Sequence, residues 1–228
     1  IAEALPRGTG QDLVIQWGGG PSAGKERTVH LPLIGEFQAL NALCAAGIAM
    51  ALGDDVHAVL DGLTQLKGVH GRLELVGQTA GKAPVFVDYA HTDDALLNTL
   101  RTARPLTTGR VITVFGCGGD RDKTKREPMG RVAGENSDVV FITSDNPRTE
   151  DPLKIIEAIE VGVKATGKEF RSISDRRLAI REAIKEGQTG DVVIIAGKGH
   201  ENYQIVGNEK FHFDDRDVAA EAIALREA

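Results

Sequence analysis

The sequence predicts an α/β fold: a mostly parallel sheet flanked by helices, preceded by a segment of different character. Three observations carry this. From Arg72 onward, short β-branched apolar runs alternate with helical stretches of roughly 10–15 residues, the rhythm of βαβ units. The runs are apolar throughout rather than alternating, as expected of strands buried on both faces. Glycines and charged residues crowd the segments directly after the runs, where ligands gather at the carboxyl ends of parallel strands.

The elements follow in order. "QDLVIQW" (11–17) and "RTVHLPL" (27–33) read as two strands joined by a Gly/Pro/Ser turn. "GEFQALNALCAAGIAMALG" (35–53) is apolar around most of its circumference, which suggests a buried helix stopped by Gly53. "DDVHAVLDGLTQL" (54–66) places Val56, Val59, Leu60, Leu63 and Leu66 at helical spacing behind a capping aspartate. Gly68 and Gly71 then punctuate the chain, and the expected boundary separates residues 1–70 from 71–228. Strands are expected at "PVFVDYA" (84–90), "RVITVFG" (110–116), "DVVFITS" (138–144) and "DVVIIAG" (191–197). Thr92 with Asp93 and Asp94 starts one helix, Pro152 another, and Ser174 with Asp175 a third. Asp214 opens the last, with Val218, Ala222 and Leu225 on one face.

Of 228 residues, 41% are hydrophobic and 26% charged, with net charge −6, an ordinary globular composition. The acidic balance argues against general nucleic-acid binding. Cys44 and Cys117 lie far apart in apolar or glycine-rich settings and read as reduced thiols of a cytoplasmic protein. No apolar run approaches the roughly 20 residues that span a bilayer. The chain lacks a signal-peptide pattern and opens with "IAEALPRG", without an initiator Met, which suggests part of a longer polypeptide. "GGPSAGKE" (19–26) nearly spells a phosphate-binding loop, but Glu26 stands where a hydroxyl must hold magnesium. A strand rather than a helix follows it, so a hairpin turn is expected and Lys25 is not a phosphate ligand.

Four strand-end segments carry chemistry. "DYAHTDDAL" (88–96) offers Asp88 and His91, with capping and surface exposure as the plain alternative. "FGCGGDRDKTKREPMG" (115–130) combines glycines that let a ligand approach the backbone with Arg121, Lys123, Lys125 and Arg126. Its spacing is not that of a dinucleotide fingerprint. "TSDNPRTEDP" (143–152) presents Asn146 and Arg148, the latter without an evident structural duty. "AGKGHENYQ" (196–204) presents Lys198, His200 and Glu201 together. Cations for an anion, a carboxylate for an ammonium and an amide for either make the profile of a site for a zwitterionic, amino-acid-like ligand.

"GRLELV", "DYAHTDDAL", "FGCGGDRDKTKREPMG", "SDNPRTEDP" and "GKGHENYQIVG", in this order, resemble the ATP-dependent Mur ligases of peptidoglycan synthesis, most closely the MurE type, which adds diaminopimelate. The resemblance implies a Rossmann-like C-terminal domain over 71–228 that binds the incoming amino acid, preceded by the tail of a central ATPase domain over 1–70. It implies that UDP-MurNAc-L-Ala-D-Glu is activated by ATP as an acyl phosphate, which the amine of meso-diaminopimelate attacks. Transferred by motif, Asn41, Arg72, Asp88 and His91 would bind ATP. Arg121, Asn146, Arg148, Gly197 and Glu201 would bind diaminopimelate. Gln38 stands where many relatives carry Asn, and Asp93 where they often carry Pro. Lysine-adding relatives lack the arginine of Asp-Asn-Pro-Arg, and an arginine fork suits the extra carboxylate of diaminopimelate. Pro147 restrains Asn146 to extended geometry. Mg²⁺ ligands are expected in upstream segments, and the chain alone is expected to be inactive. A monomer without membrane insertion is expected. The competing readings are a lysine-adding or other Mur-like amide ligase, and a non-catalytic amino-acid-binding module.

Overall fold

The protein is described from a computed structural model covering residues 3–7, 10–18, 24–79 and 81–227. It divides into two compact units, Ile1–Gly68 and Val69–Ala228.

In the first unit, β1 (Glu3–Arg7), β2 (Gly10–Trp17) and β3 (Lys25–Leu31) form an antiparallel sheet in that order. β2 and β3 pair in a hairpin register, Trp17 opposite Lys25. Lys25 therefore begins a strand and heads no helix; the expected turn over 19–23 lies outside the described residues. Two helices, α1 (Glu36–Ala51) and α2 (Val56–Leu63), complete a small core with Leu13, Leu31, Ala39 and Leu60. Asp55 caps α2, its side chain accepting from the Ala58 N–H. Two expectations change here. Helix α1 is not buried all round: Gln38, Ala39, Ala42 and Ala46 face the core, while Leu40, Ile48 and the C-capping Leu52 are exposed. Leu66 lies past the end of α2 and is exposed. An all-apolar helix marks burial only when partners exist on every side, and within this unit the sheet supplies one side.

The second unit contains β4 (Glu74–Gln78), β5 (Pro84–Asp88), α3 (Asp93–Ala103), β6 (Val111–Phe115), α4 (Arg126–Asn136), β7 (Val139–Ile142), α5 (Pro152–Lys164), β8 (Glu169–Ser172), α6 (Arg176–Glu186), β9 (Val192–Ala196), β10 (Tyr203–Val206), β11 (Glu209–His212) and α7 (Asp215–Glu227). Its six-stranded sheet runs β4-β5-β9-β6-β7-β8, parallel except for β4. Every residue of β6, β7 and β9 is buried, as their unbroken apolar runs require. Helices α6 and α7 cover the face bearing Ile112, Val114, Val193 and Ile195; α3, α4 and α5 cover the other.

Caps follow the sequence closely. Thr92 accepts from the Ala95 N–H to start α3, and Asp151, just before Pro152, caps α5. At α6 the cap is Asp175 rather than Ser174, because its carboxylate reaches the Leu178 N–H. Val218 and Ala222 are buried, but Leu225, one turn further along α7, is exposed. The short edge strands β4 and β8 and the hairpin β10–β11 were not among the expected elements. Their mixed or exposed side chains carry no unbroken apolar run.

Candidate functional site

Strand β9 is inserted between β5 and β6, so β5, β9, β6 and β7 are neighbours and run parallel. The four segments that the sequence singles out leave the carboxyl ends of these four adjacent strands. They are 89–92, 197–202, 116–125 and 143–151. Their convergence is a property of strand order, and no single βαβ unit contains it.

Two close approaches lock the loops together. Gly119 donates its N–H to the Asn146 carbonyl at 2.9 Å, and a Cβ there would lie 1.9 Å from the Pro147 carbonyl oxygen. Gly197 has φ of +118°, which an L side chain rarely adopts. Its N–H donates to the Asp88 carbonyl at 3.0 Å.

Asn146, 4% exposed, is the hub of one cluster. Its Oδ1 accepts from Lys198 Nζ and from the Ile205 N–H, both at 3.0 Å, and its Nδ2 donates to Glu201 Oε2 at 3.0 Å. Arg148 is half-buried with φ of +50°, a left-handed conformation costing about 1–2 kcal/mol for a non-glycine residue. The hairpin tethers it: its N–H donates to Ile205 O and its carbonyl accepts from the Gly207 N–H. Its Nη1 donates to Gly119 O at 2.8 Å and to Asn146 O at 3.4 Å. Arg148 thus has a structural duty, contrary to the first impression of the sequence. Its Nε and Nη2 make no protein hydrogen bond among the described residues, leaving one edge of the fork for a ligand. Arg121 is exposed at the same rim, approaching Gly118 from the side that also faces Arg148 Nη1.

Lys198 is not presented to a ligand. It is 0% exposed and lies 3.3 Å from Asp145 Oδ1 and 3.8 Å from Glu201 Oε2. Burial pulls it below the ordinary lysine range, against the opposing pull of Asp145. Beside it, Arg176 is wholly buried in a bidentate pair with Asp215 and donates to the carbonyls of Ala196 and Ser144. Burial alone would lower Arg176; Asp215 holds it above its usual value. The interior charges pair off, Lys198 with Asp145 and Arg176 with Asp215. At the rim stand Arg148, Arg121 and Glu201, whose Oε2 accepts from Asn146 Nδ2 and lies 3.8 Å from Lys198 Nζ.

A second cluster surrounds Tyr89. Arg72 lies over its ring at 4.7 Å, and the rings of His91 and His200 sit 4.6 and 4.9 Å away. Lys125 Nζ donates to the His91 carbonyl at 2.7 Å. Asp88, by contrast, is 5% exposed and spent internally. It accepts from the Leu73 and Ala90 N–H groups and from the Thr99 hydroxyl. Asn41 is exposed on α1 in the first unit. Among the described residues, no group of three His, Cys, Asp or Glu is placed to hold a metal ion. No helix among them is long and apolar enough to cross a membrane. Burial pushes the Cys117 thiol up to about 12, so it stays protonated at neutral pH.

Glu150 braces the Arg148 loop. It accepts from Arg126 at 2.9 Å and from the Asp120 N–H at 2.7 Å, and pairs with Lys123 at 3.0 Å. Asp120 in turn holds the Thr149 N–H and hydroxyl. The Arg126 bond above all lowers the Glu150 carboxyl from 4.5 to about 2. Because the folded value is depressed, the brace is intact above pH 4.5 and is lost as pH falls toward 2. A carbon-detected NMR titration should place the Glu150 midpoint near 2. A midpoint near 4.5 would mean the brace does not form in solution.

Sequence reading missed Tyr89, Asp145, Tyr203, Gln204, Arg176 and Asp215. The adjacency of Tyr89 to Asp88 was a usable signal. Nothing in "SDRR" or "FDDRD" pairs Arg176 with Asp215 across 39 positions.

Residues 71–199 match the family model described as Mur ligase, glutamate ligase domain. They make up more than half of the sequence, and the chain belongs to the Mur ligase family. It is 50% identical over 195 residues to the UDP-N-acetylmuramoyl-L-alanyl-D-glutamate–2,6-diaminopimelate ligase of Gloeobacter violaceus, covering 86% of this chain and 40% of that protein. It is 52% identical over 205 residues to the ligase of the same name from Bradyrhizobium diazoefficiens, covering 90% and 41% respectively. The chain thus spans about two fifths of these relatives' length. A solved structure of a diaminopimelate ligase so named superposes with TM-score 0.74 at 36% identity, covering 99% of this chain and 45% of that one. The UDP-N-acetylmuramate-alanine ligase of Thermotoga maritima, at 18% identity and TM-score 0.67, covers 99% of this chain and 45% of its own and shares the fold.

Proposed function

We propose that this chain is the C-terminal part of an ATP-dependent ligase that adds meso-diaminopimelate to UDP-MurNAc-L-Ala-D-Glu, acting in the cytoplasm as a monomer. In this reading residues 1–68 are the tail of the central ATPase domain, and 69–228 are the amino-acid-binding domain. The observation that carries it is the rim around Asn146. Glu201 suits an ammonium, and the free edge of Arg148 suits a distal carboxylate that lysine lacks. Arg121 and the Gly197 backbone would complete the amino-acid site.

ATP would transfer its γ-phosphoryl group to the D-Glu carboxylate, giving an acyl phosphate and ADP. The amine of diaminopimelate, having lost a proton, would add to the carbonyl. The tetrahedral intermediate would then expel phosphate to leave the amide. Exposed Arg72 and His91 on Tyr89 fit a nucleotide. Asp88 has no free oxygen for ribose, so its part would be to hold the loop at Leu73. Magnesium would neutralise phosphate charge, held by residues outside those described here. This chain's own contribution would be to bind and orient the amino acid.

The test is ADP and phosphate release by the complete ligase, given UDP-MurNAc-dipeptide and either diaminopimelate or lysine. Release should depend on diaminopimelate, with kcat/KM at least about a hundredfold above that for lysine. Equal values would overturn the reading.

A further inference from the structure

We infer that Lys198 is a positioning residue for amino-acid recognition, fixing the polarity of the Asn146 amide and the hairpin that tethers Arg148. The inference rests on the proposed function, which gives the rim its ligand, and adds a residue that never touches that ligand.

A fully buried lysine is rare and requires a partner for each of its donors. Lys198 Nζ donates to Asn146 Oδ1 at 3.0 Å and to the Tyr203 carbonyl at 2.7 Å, and it forms an ion pair, without a hydrogen bond, with Asp145 Oδ1 at 3.3 Å. Neutralising Asp145 would need only the last. The first decides which way Asn146 points. A side-chain amide can be turned end for end at little cost unless its neighbours distinguish oxygen from nitrogen. Here Oδ1 faces two donors, Lys198 Nζ and the Ile205 N–H, so a flipped amide would set N–H against N–H on both. Nδ2 is thereby directed at Glu201.

The bond to the Tyr203 carbonyl works on the other end of the rim. It anchors the first residue of β10, two positions before Ile205. Ile205 supplies the second donor to Asn146, and its carbonyl receives the N–H of Arg148. Gln204, between them, donates to the Asp145 carbonyl at 2.8 Å. One ammonium group therefore sets Glu201 through the amide and Arg148 through the hairpin. Gly197 and Gly199 flank Lys198, both with positive φ, +118° and +51°, and turn the chain away from the strand direction as soon as β9 ends at Ala196.

Lys198→Met alone would strand Asp145 as a buried unpaired charge, so the informative variant is Asp145→Asn/Lys198→Met in the complete ligase. It removes both charges and leaves Asn146 with one donor. If Lys198 positions the amide, this variant keeps a cooperative thermal transition, while KM for diaminopimelate rises about tenfold or more and kcat changes less than about threefold. Asp145→Asn/Lys198→Gln, which restores a donor, should recover part of the loss. A KM within about twofold of the parent in the Met variant would overturn the inference, because charge balance would then be the lysine's whole role. If neither double variant folds while Asp145→Asn does, Lys198 holds the domain together rather than setting the amide, and the inference also falls. A parent that uses lysine as well as diaminopimelate overturns the functional reading itself, and this inference with it.

Discussion

Arg148→Ala in the complete ligase is expected to raise KM for diaminopimelate roughly tenfold to a hundredfold while changing KM for lysine little. A charge-assisted hydrogen bond lost from a partly buried site is worth about 1.5–3 kcal/mol, and each 1.4 kcal/mol is about tenfold. Arg148→Lys should fail nearly as badly, since an ammonium keeps the charge but cannot offer two parallel donors. Arg148→Gly separates recognition from folding. Glycine accepts the +50° φ without strain, so its melting temperature should be no lower than that of Arg148→Ala, although it binds diaminopimelate equally poorly. Unchanged KM in Arg148→Ala would remove the residue from the substrate site. Its bonds to Gly119 and Asn146 would then be its only work.

The largest stability effect is expected at the buried pair of Arg176 and Asp215. Both side chains are 0% exposed, and the guanidinium also satisfies the carbonyls of Ala196 and Ser144. Arg176→Ala should cost about 3–5 kcal/mol, because it leaves a buried carboxylate without its counter-ion. For a chain of this size that is a drop of roughly 6–20 °C in Tm. Asp215→Ala should match it. Arg176→Met/Asp215→Leu should recover much of the loss but not all, since the two carbonyls remain without a donor. Calorimetry of the four proteins provides the comparison. A single-variant cost below about 1 kcal/mol would show that the pair is solvated and holds nothing. Ala196 and Ser144 lead directly into the loops bearing Gly197 and Asn146, so the single variants should lose diaminopimelate affinity together with stability.

The legibility of the site varied residue by residue, for physical reasons. Asn146, Arg148 and Glu201 stood out because charged and amide side chains next to glycine and proline are poor choices for a plain turn. Arg148 also shows the limit of that reasoning, since its main chain is stitched to Ile205 and Gly207 and its fork to Gly119. Lys198 looked like a presented cation because it sits between two glycines in a polar stretch. Its direction was decided by Asp145, Asn146 and Tyr203, none of which adjoins it. Asp88 looked like a ligand group, yet both its oxygens serve Leu73, Ala90 and Thr99.

By itself the sequence determined the α/β class, the four central strands, most helix starts and the segments that carry chemistry. These depend on local causes: apolar runs set burial, capping oxygens set helix starts, and glycines set where a backbone turns. Only the tertiary structure decided that β9 lies between β5 and β6, which brings the four loops to one edge. It alone decided that α1 exposes Leu40 and Ile48, and that Arg176 and Asp215 meet in the core. Strand order and buried pairing arise from contacts between residues far apart in the chain. Neighbouring residues contain no record of which distant partner will satisfy them.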